Sequence, residues 1–184
     1  MIDSVPELPF DTIMSHAVSF TYFSMRNVGL HHSSGALLCS LGSSKNLVYL
    51  DLSRQSQVTS IDFLGKNTPQ IEYLYLEYCI NLDPNSILEC VKYLSRLKVF
   101  SINGLMLSQN NTRALISNFK LTSIFNLGLA GSHLSLESAE DLLDTCPRLL
   151  FLQMSCAMTD KAVFKDLGRY YDISISFPSL KYFN

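Results

Sequence analysis

The sequence has no tryptophan, no C-x-x-C pair, no run of like charge, and no apolar stretch of the roughly 18 residues that a bilayer requires. Each absence removes a class of function. The 14 basic and 16 acidic side chains leave a net charge of −2, so the attraction on which nucleic-acid binding depends is missing. Neither nucleic acid nor a membrane is expected as a partner. The N-terminus reads Met1-Ile2-Asp3-Ser4-Val5-Pro6-Glu7, acidic and interrupted by proline, which is not the pattern of a secretory signal. Without such a signal, the glycosylation-type triplet Asn110-Asn111-Thr112 is read as a chance match. The five cysteines, Cys39, Cys79, Cys90, Cys146 and Cys156, are odd in number and widely spaced. Neither a zinc site nor a thiol-redox motif follows from them. They are expected to be reduced and packed as small hydrophobes in a cytoplasmic or nuclear protein.

Catalytic chemistry is equally hard to find. Of the four histidines, His31 and His32 are adjacent, so as an extended pair they point apart. His16 and His133 have no partner suggested by sequence. The stretch Leu41-Gly42-Ser43-Ser44-Lys45 lacks the first glycine of a phosphate loop and places lysine after serine, so it is read as a turn into a strand. Glu137, Glu140, Asp141 and Asp144 surround one helical stretch and are expected to form a solvated face. The expectation is a protein that is not an enzyme, with no cofactor and no metal.

What the sequence does have is a repeat. The chain of 184 residues is 47% hydrophobic, enough for one domain with a core. The pattern apolar-x-x-apolar-x-apolar occurs at Leu47-x-x-Leu50-x-Leu52 and Ile71-x-x-Leu74-x-Leu76. It returns at Leu97-x-x-Phe100-x-Ile102, Ile124-x-x-Leu127-x-Leu129 and Leu149-x-x-Leu152-x-Met154. A looser first copy is Phe20-x-x-Phe23-x-Met25, and a truncated last one is Leu180-x-x-Phe183. The starts fall 27, 24, 26, 27, 25 and 31 residues apart. Leucine-rich repeats run about 20 to 29 residues, and only the last interval lies outside that span.

Each hexad predicts a short strand with its key residues turned inward and the intervening ones outward. The rest of each copy predicts a helix. Asp83 can cap and Pro84 suits the first helical position, with Ile87, Leu88, Val91 and Leu94 at helical spacing. Ser135 or Ser138 can cap a helix that carries Ala139, Leu142 and Leu143 and ends before Pro147. The second copy offers only residues 59–67, weakened by Gly65, so one or two turns or a 3₁₀ segment is expected there. Such units cannot bury their apolar faces alone. The expected fold is α/β: a leucine-rich-repeat solenoid, a curved right-handed β-α superhelix with parallel strands on the concave face.

Two details narrow the class. Thr145-Cys146-Pro147-Arg148-Leu149 leads into the sixth hexad, and Cys79 stands eight residues after Ile71. Cys156-Ala157-Met158-Thr159-Asp160 continues the pattern, with Cys156 one residue early. Together these resemble the cysteine-containing repeats of F-box/LRR proteins, whose copies read C-P-x-L-x-x-L-x-L-x-x-C with a T-D dipeptide opening the helix. The resemblance covers about residues 20–183 and implies substrate or partner recognition for a cullin-type ubiquitin ligase, through a cullin-linked adaptor. The start Glu7-Leu8-Pro9-Phe10 is similar to the opening of an F-box, but the tryptophan-containing part is missing. Residues 1–19 are therefore expected to be an N-terminal helical cap or a vestigial F-box-like segment. Residues 20–184 hold about six repeats and a truncated seventh.

Alternation then assigns the outward strand positions. The first column reads Tyr22, Tyr49, Tyr73, Val99, Asn126 and Phe151. The second reads Ser24, Asp51, Tyr75, Ser101, Gly128 and Gln153, and the third Arg26, Ser53, Glu77, Asn103, Ala130 and Ser155. Tyrosines are enriched at interface cores, and they also simply suit strands. Asp51 and Glu77 beside them favour a basic or hydrogen-bond-donating partner. The expected binding face comprises Tyr22, Tyr49, Asp51, Tyr73, Tyr75, Glu77, Val99, Ser101, Phe151 and Gln153. The function expected is a non-catalytic protein-protein interaction module. The alternative is a structural scaffold subunit, bound through its ends or helical side.

Overall fold

The computed structural model describes residues 19–27, 39–121 and 123–154. Six three-residue strands run in order: β1 (Tyr22–Ser24), β2 (Tyr49–Asp51), β3 (Tyr73–Tyr75), β4 (Val99–Ser101), β5 (Asn126–Gly128) and β6 (Phe151–Gln153). Each begins two residues after the start of a hexad. All are parallel, and each pairs with the next in chain order. The register joins equivalent positions, Phe23 to Leu50, Leu74, Phe100, Leu127 and Leu152. Helices α1 (Asp62–Asn67), α2 (Pro84–Val91), α3 (Gln109–Ser117) and α4 (Leu136–Thr145) alternate with β2 to β6 and pack on one another in sequence order. The result is an α/β arrangement of a six-stranded parallel sheet alternating with helices.

Parallel neighbours need a crossover, and here each crossover is one repeat long. The inward hexad residues from Leu47 to Met154 are all buried and form one continuous cluster with the helices' apolar faces. Chain reversal after β1 to β5 uses one device. The eighth residue counted from the start of each of these five hexads has a left-handed backbone: Asn27 (φ 56°), Arg54 (63°), Tyr78 (56°), Gly104 (83°) and Gly131 (100°). Left-handed φ at bulky side chains is costly, so its recurrence marks a turn imposed by the stack. In three copies the ninth residue then ties one copy to the one before it. Gln55 Nε2 donates to Met25 O (2.5 Å), Cys79 Sγ to Leu52 O (3.0 Å) and Ser132 Oγ to Leu105 O (2.9 Å). Each bond satisfies a carbonyl of the preceding copy.

The helices start where their caps place them. Asp83 accepts from Asn85 N–H with Pro84 in the first turn, and Ser135 accepts from Ser138 N–H. Ser135, not Ser138, is thus the cap of α4. The weak second copy is a true but short α-helix, and the structure explains its glycine. A Cβ on Gly65 would lie 2.8 Å from the Cys90 carbonyl carbon and closer still to its oxygen, so α1 and α2 approach too closely for any side chain there. Helix α3 fills the helical half expected of the fourth copy, where the sequence reading gave no cap or bounds; Ser108 caps it, and Thr112, Leu115, Ile116 and Phe119 repeat at helical spacing. Asn110, Asn111 and Thr112 lie in its first turns, with Thr112 buried and bonded to Ser108 O.

Cys79, Cys90 and Cys146 are free and buried, whereas Cys39 is free and exposed. Burial pushes the Cys90 and Cys146 thiols up to about 12. Of the cap or F-box-like segment expected at residues 1–19, all but Ser19 lies outside the described residues, as do His31, His32, Cys156 and the truncated copy at 180–183. No described helix is long and apolar enough to cross a membrane.

Candidate partner-binding face

The outward side of the sheet follows from the strand alternation, because inward positions are taken by leucine and phenylalanine. At the β1 end four tyrosines converge. Tyr22 and Tyr49, register partners on adjacent strands, stack with ring centroids 4.0 Å apart. Tyr49 lies 6.1 Å from Tyr73 and 5.4 Å from Tyr75, both tilted. Tyr22 is 61% exposed, and Tyr49, Tyr73 and Tyr75 are half-buried. Burial, a hydrogen bond with Tyr22 and the nearby Asp51 carboxylate hold the Tyr49 phenol well above its ordinary range. Burial, then Asp51 and Glu77, raise Tyr75 as well.

The carboxylates are held differently. Asp51 is buried and accepts Ser53 N–H at 2.9 Å. Glu77 is the centre of a polar strip. Its Oε2 meets Arg26 at 2.7 Å, and its Oε1 accepts from Ser101 Oγ (2.8 Å) and Asn103 Nδ2 (3.2 Å). Asn103 also donates to Gln153 Oε1 at 2.7 Å and accepts Ala130 N–H at 2.9 Å. The strip therefore runs from the first copy to the sixth. It passes two small residues. Arg26 reaches past the second copy, whose equivalent Ser53 is fully buried. Asn103 reaches past the fifth, where a Cβ on Gly128 would lie 2.8 Å from Asn103 Nδ2 and closer still to Ser101 Oγ.

Of the ten residues expected on the binding face, Tyr22 and Phe151 are exposed, and Tyr49, Tyr73, Tyr75, Glu77 and Gln153 are half-buried. Asp51, Val99 and Ser101 are buried instead of exposed. The reason is crowding by neighbours only one strand away. Val99 lies between Tyr73 and Asn126, and Asp51 and Ser101 both lie beside Tyr75. A short side chain there is overshadowed by a long one.

The solvated acidic face stands as a surface: Glu137, Glu140, Asp141 and Asp144 line it, and Arg113 pairs with Glu137 and, at 3.7 Å, with Asp141. Residues 41–44 form the turn before β2, with Ser44 Oγ bonded to Phe20 O. No group of three or more His, Cys, Asp or Glu among the described residues is placed to hold a metal. Strand alternation did not identify a second surface feature. Ile80 (69% exposed) and Met106 (77%) occupy equivalent positions and line a groove of about 260 Å³ with Leu82, Pro84 and Leu107. The available signal was that these two copies are apolar where the copies on either side carry Ser56 and His133.

No protein-family model matches the chain, and no curated protein matches it.

Proposed function

We propose that this chain is a leucine-rich-repeat solenoid that works as a non-catalytic recognition module, holding a partner protein on the outward face of its sheet. One observation carries the reading. Tyr22, Tyr49, Tyr73 and Tyr75 form a contiguous aromatic cluster at one end of that face, beside a polar strip whose groups already satisfy one another. Rigid aromatic side chains offer large contact area at low entropic cost, which is why they dominate interface hot spots. The left-handed turn and the inter-copy donor at fixed repeat positions support the solenoid reading, since each recurs only if the copies stack. The likeness of the repeats to those of F-box/LRR proteins supports a role in substrate recognition for a cullin-type ubiquitin ligase.

Affinity capture from cell extract tests the reading directly. The unaltered chain should recover a discrete partner, and a cullin with its adaptor if the ligase role holds. Joint replacement of Tyr49, Tyr73 and Tyr75 by alanine should abolish capture while the circular dichroism spectrum stays unchanged. Capture that survives in the folded triple variant would move the binding surface elsewhere, to the ends or helical side that a structural scaffold would use.

A further inference from the structure

The two carboxylates beside the tyrosines are not equivalent. Glu77 is neutralised by Arg26, and its second oxygen accepts from Ser101 and Asn103. Asp51 has no such partner. Only 6% exposed, it accepts a single backbone N–H from Ser53, and no described Lys, Arg or His pairs with it. Arg26, at an outward position of the first copy, is held by Glu77. A carboxylate taken out of water without a counter-charge is a standing cost, which an arriving cation would relieve.

The rings around it are suited to that cation. Tyr49 precedes Asp51 by two residues on the same side of β2, and Tyr75 is its register partner on β3. The two rings lie 5.4 Å apart and tilt by 40°, so they form a shallow corner instead of a closed stack. Tyrosine faces carry negative potential and attract guanidinium and ammonium groups, more strongly when these are desolvated. Asp51 adds a carboxylate on the same side of the same strand. Its field at Tyr49 and Tyr75 is felt in both phenols, whose ionisation it opposes.

Resting on the reading of this side of the sheet as the partner-binding face, we propose that the Tyr49–Tyr75–Asp51 corner receives a cationic side chain, arginine or lysine, from an extended segment of the partner protein. Glu77 does not take part, because the strip from Arg26 to Gln153 already occupies it. Charge complementarity selects this occupant over a neutral aromatic or aliphatic side chain, which would use the rings and leave Asp51 unpaired.

The test uses the full chain with isotopically labelled tyrosine, titrated with a short acetylated glycine-serine peptide carrying one arginine. The same peptide with citrulline, the neutral isostere, and with glutamate are run beside it. The arginine peptide should shift the Tyr49 and Tyr75 ring signals saturably, and citrulline should bind about tenfold more weakly, a difference of about 1.4 kcal/mol. Asp51→Asn, which keeps an acceptor for Ser53 N–H, should abolish the preference for arginine. Equal shifts from arginine and citrulline would overturn the proposal while leaving the face a binding surface. Ring signals that no peptide moves would also overturn it, and the tyrosine-to-alanine capture would then decide the wider reading by itself. The citrulline comparison is made on unaltered protein, so it does not depend on any variant folding.

Discussion

The outward side of β1–β3 and the outward side of β4–β6 are built on one parallel register over one continuous core, yet their side chains do opposite things. On the first three strands tyrosines stand above the sheet, stack on one another and keep part of their surface in solvent. On the next two, Val99, Ser101 and Gly128 are buried, and Ser101 and Asn103 turn their polar atoms toward Glu77. The same repeat position is a partly exposed aromatic surface in one half and an internal brace in the other. Side-chain volume makes the difference. Strands about 4.8 Å apart leave a short side chain in the shadow of a long one.

Four substitutions press on that comparison, beginning with the largest effect. Leu74→Ala and Leu127→Ala remove equivalent, fully buried inward residues from the two halves. Each should cost about 2–5 kcal/mol in equilibrium urea unfolding. If one cost almost nothing, the two halves would not share a core. Gly128→Ala comes next. Its Cβ would press on Ser101 Oγ and lie 2.8 Å from Asn103 Nδ2, so the brace must move, at about 1–3 kcal/mol. Tyr22→Ala, in the other half, should cost about 1 kcal/mol or less, the worth of an aromatic pair. Thermal unfolding of the two variants side by side would refute the division if their order were reversed.

The smallest effect is electrostatic. A phenol whose pKa is raised by folding loses its proton first in the unfolded chain. Tyr49 therefore contributes stability that is intact below the usual tyrosine value of about 10 and is lost as pH rises from there through its higher folded value. Tyr49→Phe should flatten the fall in urea midpoint above about pH 10. The outward side of β4–β6 has no tyrosine, so no substitution on that side of the sheet should do the same. An unchanged slope in Tyr49→Phe would mean that the phenol is not held as its surroundings indicate.

Much of the fold was legible because its signals are local. A hexad places inward residues two apart on a strand, and the six starts from Phe20 to Leu149 locate β1 to β6 without reference to any distant residue. Asp83, Pro84 and Ser135 announce helix starts in the same way. Helix α3 gave a weaker signal, because Gln109, Asn110 and Asn111 make its first turn wholly polar and only one narrow face is apolar. The candidate face was legible as a set of positions but not as a surface. Alternation names the residues that point outward and says nothing about which remain uncovered.

The period of the repeat, the placement of strands and helices, and the clustering of tyrosines on one side are properties of the chain read alone, because each depends on residues a few positions apart. The rest depends on what the stack brings together. The salt bridge from Arg26 to Glu77 spans 51 residues and the bond from Asn103 to Gln153 spans 50. Those contacts occupy Glu77 and leave Asp51 without a counter-charge among the described residues, while the stack buries Ser53 and Ser101. Gly65 looked like a weakness in a short helix, and the approach of Cys90 O makes it a requirement. Exposure, pairing and close approach are set by neighbours one and two copies away, and only tertiary structure places them there.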